Sequence, residues 1–201
     1  VHLVADLTAA DGRGTVRVEY RVHGAGQGST LGATVLDFGR ARIVDLRTAD
    51  GQPLGLGTGP GVSRAGRLPV GSPDADGVVR IVVEYDVPGA VVARGPALRG
   101  HVPVLTVDRP AGEPGPDVFA AELRVPPGWS ITEGFPSGLS ATAQPGVYRA
   151  GLSVVPAVVS FRGRTDGAWR PGLPLALELL AGSVLLGFSL VGWRHLRGAA
   201  P

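Results

Sequence analysis

The sequence predicts an all-β chain: an antiparallel β-sandwich domain on the extracytoplasmic side, followed by a single C-terminal transmembrane helix. Three observations predict it. Apolar and polar residues alternate with period two in several short segments, which places one set on a core face and the other in water. Glycine and proline, 32 and 18 of 201 residues, make up a quarter of the chain without a collagen period, so they punctuate many turns. Residues 173–193, LPLALELLAGSVLLGFSLVGW, carry one charge, Glu178. As a helix at about 1.5 Å per residue they extend roughly 31 Å, the thickness of a bilayer's hydrocarbon core.

The elements follow in order. Val1–Thr8 is a weak strand candidate before the Asp11-Gly12 turn. Thr15–His23 is the cleanest strand. Val16, Val18, Tyr20 and Val22 face one way, and Arg17, Glu19, Arg21 and His23 the other. Thr34–Phe38 and Ile43–Arg47 are weaker candidates, and Asp50-Gly51 marks a turn. Residues 54–77, rich in glycine, serine and proline, read as a long irregular loop that ends in Asp76-Gly77. Val78–Val87 alternates again, with Val79, Ile81, Val83, Tyr85 and Val87 on one side. Residues 88–117 are proline-rich and read as a second irregular stretch, with a weak strand at Val102–Val107. Val118–Val125 turns Phe119, Ala121, Leu123 and Val125 inward before Pro126-Pro127-Gly128. Gly146–Ala150 and Ser153–Phe161 complete about nine strands. A one-sided sheet needs a cover, which a second sheet supplies. The domain is expected over 1–163, a linker over 164–172, the span over 173–193 and a short cytoplasmic tail over 194–201.

Both ends of the span look anchored. Trp169 and Arg170 precede it, and Trp193 and Arg194 follow it. Tryptophan prefers the membrane interface and arginine reaches headgroups. Pro174 fits the first helical turn, where its missing N–H costs nothing. A core helix of a soluble protein is the alternative, but a β-rich chain offers nothing to wrap a helix apolar all round. Arginines on the two flanks leave the orientation ambiguous. The chain starts Val1-His2-Leu3 without methionine, read as removal of a secretory signal, with trimming as the alternative. Signal cleavage places the domain outside a bacterial inner membrane, on the periplasmic side. Within the span, Glu178 either snorkels to the interface near the helix N-terminus or hydrogen-bonds a neighbouring helix or a cofactor. Ser183 and Gly187 form a small-xxx-small pair that permits close helix contact.

Composition excludes several functions. There is no cysteine, hence no disulfide framework, thiolate metal site or thiol nucleophile. All nineteen basic residues are arginine, and asparagine is also absent, a bias that reads as GC-rich coding. A net charge of +2 is no nucleic-acid footprint, which needs charge clustered on one face.

Catalytic and metal motifs fare no better. The run Gly55-Leu56-Gly57-Thr58-Gly59-Pro60-Gly61 lacks the P-loop lysine and a following helix. Ser63, in Gly61-Val62-Ser63-Arg64-Ala65, lacks the last glycine of a nucleophile elbow. Of the four histidines, His2, His23, His101 and His195, only His101 lies where a functional role is plausible. Asp74 and Asp76 offer two carboxylates to calcium or form an ordinary Asp-Gly turn. No catalytic, cofactor or metal residue is assigned.

This layout of extracytoplasmic β-domain, short linker, lone span and short tail resembles that of the extra subunits that brace some bacterial photosynthetic reaction centres inside their light-harvesting rings. The resemblance implies a periplasmic domain, a span packed near the antenna ring and a role in fixing one relative to the other. No histidine lies inside the span, and His195 falls beyond Trp193, so no pigment ligation is expected. The N-terminal strand pattern is also similar to the β-domains that precede some metallopeptidase catalytic domains; the H-E-x-x-H motif is absent, so no activity comes with it. The expected function is therefore a non-catalytic accessory subunit of a larger membrane complex, with the membrane and other subunits as partners and no nucleic acid. The alternative is a membrane-anchored binding ectodomain, an adhesin or sensor. An enzyme dependent on His101 is a third.

Overall fold

Strands β1 (His2–Leu7), β2 (Gly14–His23) and β7 (Val78–Val87) sit at the middle of the largest sheet. Their alternation is the cause: Leu3, Ala5, Val16, Val18, Tyr20, Val79, Val83 and Tyr85 point inward and are buried. β2 and β7 pair antiparallel over ten residues, from Gly14 opposite Val87 to His23 opposite Val78. The computed structural model describes residues 1–23, 28–58, 63–108 and 118–166.

The other strands are β3 (Thr30–Leu36), β4 (Val44–Thr48), β5 (Leu56–Thr58), β6 (Ser63–Pro69), β8 (Val91–Arg94), β9 (Ala97–Pro103), β10 (Thr106–Val107), β11 (Phe119–Arg124), β12 (Trp129–Phe135), β13 (Ser140–Ala141), β14 (Val147–Leu152) and β15 (Val158–Thr165). They form a seven-stranded sheet in the order β13-β14-β11-β1-β2-β7-β4 and two four-stranded sheets, β10-β3-β6-β5 and β12-β15-β9-β8.

Three sheet-level expectations are corrected. The strands fall into three sheets rather than two. One pairing is parallel: β1 lies beside β11, with His2 opposite Ala120 and Asp6 opposite Arg124. The stretches 54–77 and 88–117, read as irregular, contain β5, β6, β8, β9 and β10. The physical reason is that glycine takes inward positions where an apolar side chain would have revealed the alternation. A side chain on Gly66 would meet the Gly55 carbonyl and Leu56, and one on Gly100 would overlap the Phe161 ring.

A continuous apolar cluster draws on all three sheets. It includes Leu3, Val18 and Phe119, then Ala33, Val35 and Leu68, then Leu98, Val102 and Phe161. Each fully buried large side chain contributes roughly 1.5–3 kcal/mol over its exposed state. Two buried tyrosines tie the seven-stranded sheet to the end of β9 and the segment after it. The Tyr85 hydroxyl donates to the Pro103 carbonyl at 2.9 Å, and the Tyr20 hydroxyl donates to that of Leu105. Burial pushes both phenols well above the ordinary tyrosine range.

The turns use the glycines expected of them. Gly12, Gly51, Gly77 and Gly128 all have positive φ, between 63° and 80°. Strand β15 runs through Arg164 and Thr165, the start of the stretch read as linker. The expected span 173–193, the tail, and Trp169, Arg170, Glu178, Ser183, Gly187, Trp193 and Arg194 all lie outside the described residues. Among the described residues no helix is long and apolar enough to cross a membrane.

Candidate functional site

Two of the three sheets differ in how their outward residues treat charge. On the seven-stranded sheet each arginine meets a carboxylate. Arg17 bonds Glu84 at 2.8 Å, and Arg80 grips Glu19 through two nitrogens at 2.7 and 2.9 Å. Arg21 reaches the same Glu19 at 3.0 Å, and Arg13 lies 3.7 Å from Asp86. Glu122, only 7% exposed, accepts from Arg124 and Arg149 at 2.8 Å each. The hydrogen bond from Arg149, then that from Arg124, holds the Glu122 carboxyl below the usual range. Arg80 does the same for Glu19, ahead of Arg21. Cross-strand register creates these pairs: Arg17 stands opposite Glu84, and Glu122 opposite Arg149.

The outer face of β12-β15-β9-β8 is different. In β9, Leu98, Gly100 and Val102 turn inward, so Arg99 and His101 turn outward. In β15, Val159, Phe161 and Gly163 turn inward, so Ser160, Arg162 and Arg164 turn outward. The register sets Arg99 opposite Arg162 and His101 opposite Ser160. On β8, Val92 stands opposite Arg99, and Arg94 opposite Ala97. On the other edge, Glu133 of β12 stands opposite Arg162, and Phe135 opposite Ser160.

Four arginines, Arg94, Arg99, Arg162 and Arg164, thus share one face. Glu133 meets Arg162 at 3.4 Å, a long contact between two well-exposed side chains. Arg94, Arg99 and Arg164 have no ion-pair partner among the described residues. Beyond Glu133, the nearest acid in sequence is Asp166, just past the end of β15. Like charges directly opposed across strands disfavour the sheet, and the register places Arg99 opposite Arg162. Of the three exposed large hydrophobic residues among the described ones, Val92 (39%) and Phe135 (51%) lie on this same face.

Between the strands is a shallow cavity of about 320 Å³, lined by Arg99, His101, Glu133, Phe135, Ser160 and Arg162 among others. The His101 ring stacks on Phe38, with centroids 6.5 Å apart and planes 15° from parallel. Ser160 and His101 are neighbours across the ladder, and among the described residues no hydrogen bond joins them.

The remaining candidates take structural places. Ser63 opens β6 opposite Leu36, a strand-to-strand setting rather than a strand-to-helix elbow. Leu56, Gly57 and Thr58 of the glycine run form β5, and 59–62 lie outside the described residues. The Asp74 carboxylate accepts from the backbone N–H of Asp76 at 3.0 Å and of Val78 at 2.9 Å, a turn built by its own side chain. Arg21 and Arg80 line the same hollow as Asp74 and Asp76, which disfavours a cation there. Among the described residues no group of three or more His, Asp or Glu suits a metal ion.

Sequence reasoning reached His101 but missed the arginines around it. The signal is present in Ala97-Leu98-Arg99-Gly100-His101-Val102 and Ser160-Phe161-Arg162-Gly163-Arg164: with glycine counted as an inward residue, every basic residue falls on one face.

Fold and face together define a class: an all-β domain that presents an uncompensated basic surface. Against known proteins, no family model and no curated protein matches the chain. Among solved structures, native yeast LTA4 hydrolase is similar at 12% identity and a TM-score of 0.41, over 82% of this chain and 28% of that one. Yeast LTA4 hydrolase in complex with bestatin is similar at 11% identity and a TM-score of 0.44, over the same shares. The chain therefore spans well under a third of the length of these structures, and they assign no residue of it a role.

Proposed function

We propose that the chain is a non-catalytic accessory subunit of a larger membrane complex. Residues 173–193 tether it to a bacterial inner membrane, and the β-domain lies on the periplasmic side. The observation that carries this reading is the outer face of β12-β15-β9-β8. Three of its four arginines have no ion-pair partner among the described residues and Val92 and Phe135 are exposed on it, whereas each arginine of the seven-stranded sheet meets a carboxylate. Such a surface supports work by contact. One complex that suits the layout is a photosynthetic reaction centre held within its light-harvesting ring, where the subunit would brace one against the other without ligating pigment.

The test is purification from native membranes in mild detergent, with partner identification and an absorption spectrum. Co-migration with other membrane subunits is expected, and pigment in the sample identifies the photosynthetic case. A colourless, partner-free species contradicts the proposal. It would favour a second reading, a tethered ligand-binding ectodomain, whose supporting observation is the cavity between Arg99, His101 and Phe135. Hydrolysis lost on His101→Ala would contradict both.

A further inference from the structure

We infer that the arginine-rich face of β12-β15-β9-β8 docks on the anionic phospholipid headgroups of the membrane that holds the chain. The inference rests on the reading of 173–193 as a tether and adds what the domain does beside it. Four observations converge. Arg94, Arg99 and Arg164 have no acid partner among the described residues, and Arg162 has only the long contact to Glu133. Guanidinium groups match phosphate oxygens in a two-pronged fork, so they suit a phosphate layer better than an isolated carboxylate. A hollow of about 320 Å³ on this face, lined by Arg99 and Arg162 among others, has room for a headgroup phosphate.

Second, Val92 and Phe135 stand on the outer strands of this sheet, β8 and β12, with the basic residues of β9 and β15 between them. Apolar and aromatic side chains interleaved with arginine are the composition of surfaces that rest at the bilayer interface. Third, β15, which supplies Ser160, Arg162 and Arg164, is the last described strand, and only six residues, Gly167–Gly172, separate Asp166 from the expected span. Fully extended they reach at most about 22 Å. A tether this short keeps the headgroup layer at high effective concentration, so contacts too weak to hold a free protein suffice. Fourth, the other large face carries its own counter-charges and offers an anionic surface little.

The chain contains no cysteine, so single labelling sites are clean. The full chain is reconstituted into nanodiscs of phosphatidylcholine alone, or with a third phosphatidylglycerol. A fluorophore is placed at Val92→Cys on the basic face or at His2→Cys on the outer face of the seven-stranded sheet. Quenching by headgroup-nitroxide lipid reads the distance to the bilayer. Strong quenching at position 92 but not at 2 is expected in the anionic discs. Salt at 1 M should reverse it, because the screening length falls to about 3 Å. The triple variant Arg94→Gln, Arg99→Gln, Arg164→Gln should abolish it, since each arginine near an anionic surface is worth on the order of fivefold in the docked-to-undocked ratio. Discs that hold the chain but leave position 92 unquenched, or quench it equally in neutral lipid, overturn the inference alone. Quenching that appears only when native membrane proteins are added overturns it in favour of a polypeptide partner. A chain that fails to elute with the discs overturns the tether and this inference with it.

Discussion

Two β-sheet faces of this chain carry the same cation and use it in opposite ways. On the seven-stranded sheet, Arg17, Arg80, Arg124 and Arg149 each find a carboxylate on the same or the neighbouring strand. On the four-stranded sheet β12-β15-β9-β8, Arg99 faces Arg162 across the ladder, and Arg94 and Arg164 face no acid among the described residues. The difference lies in register. Alternation decides that a residue points outward, and pairing decides what it meets there. The first face closes its electrostatics on itself. The second leaves three of its four arginines without a counter-charge among the described residues.

The inner side of the four-stranded sheet is the harshest place to break this contrast. Phe161 lies between the outward Ser160 and Arg162 and packs over Gly100. Phe161→Ala should cost about 3–5 kcal/mol in urea unfolding. A cost under about 1 kcal/mol would mean that this sheet is not packed as described. Gly100→Ala drives a methyl into the same ring and should cost about 1–3 kcal/mol.

The tyrosine ties come next. Tyr85→Phe leaves the buried Pro103 carbonyl without its donor and should cost about 1–2 kcal/mol near neutral pH. Burial raises the Tyr85 phenol in the folded state. The stability it contributes is therefore complete below the ordinary tyrosine value of 10.0 and is lost as pH rises above it. Wild type should unfold on the alkaline side, and Tyr85→Phe should lose stability there less steeply. Parallel slopes for the two would contradict the assignment.

The paired face supplies a smaller effect on the acid side. Glu122 has a folded value below its ordinary 4.5, held there by Arg149 and then Arg124. Its contribution is present above 4.5 and lost as pH falls below that value. Because both arginines are exposed to screening water, Glu122→Gln should cost only about 1 kcal/mol at pH 7. The gap should close in strong acid, as followed by thermal unfolding against pH; a gap constant across pH would refute the ion-pair origin.

How much of this was legible depends on the residue facing inward. Strand β7 is readable to its ends, Val78–Val87, because every inward position is Val, Ile or Tyr. β9 and β15 are only half readable, because Gly100 and Gly163 stand inward and hide the alternation that turns Arg99, Arg162 and Arg164 outward. β6 presents one buried apolar residue, Leu68, and is held by its ladder to β3 rather than by a pattern. The parallel β1–β11 pairing joins residues over a hundred positions apart, as His2 and Ala120 show, and no local signal encodes it. At the site, His101 stood out by elimination among four histidines, but its setting needed register, which single-strand patterns do not carry.

The smallest expected effect is the most telling about the open face. Arg99→Gln and Arg164→Gln should change unfolding free energy by less than about 0.5 kcal/mol, since neither side chain has an internal partner to lose. A loss above about 1 kcal/mol would place a hidden structural contact there.

The central claim, that one face is closed and the other is a contact surface, is tested most directly by arginine footprinting. The full chain is treated with phenylglyoxal in native membranes and again in detergent, and modification is read residue by residue by mass spectrometry. Arg94, Arg99 and Arg164 should be shielded in membranes and reactive in detergent, while Arg17, Arg80 and Arg149 keep the same reactivity in both. Equal reactivity of Arg94, Arg99 and Arg164 in the two states would contradict the claim.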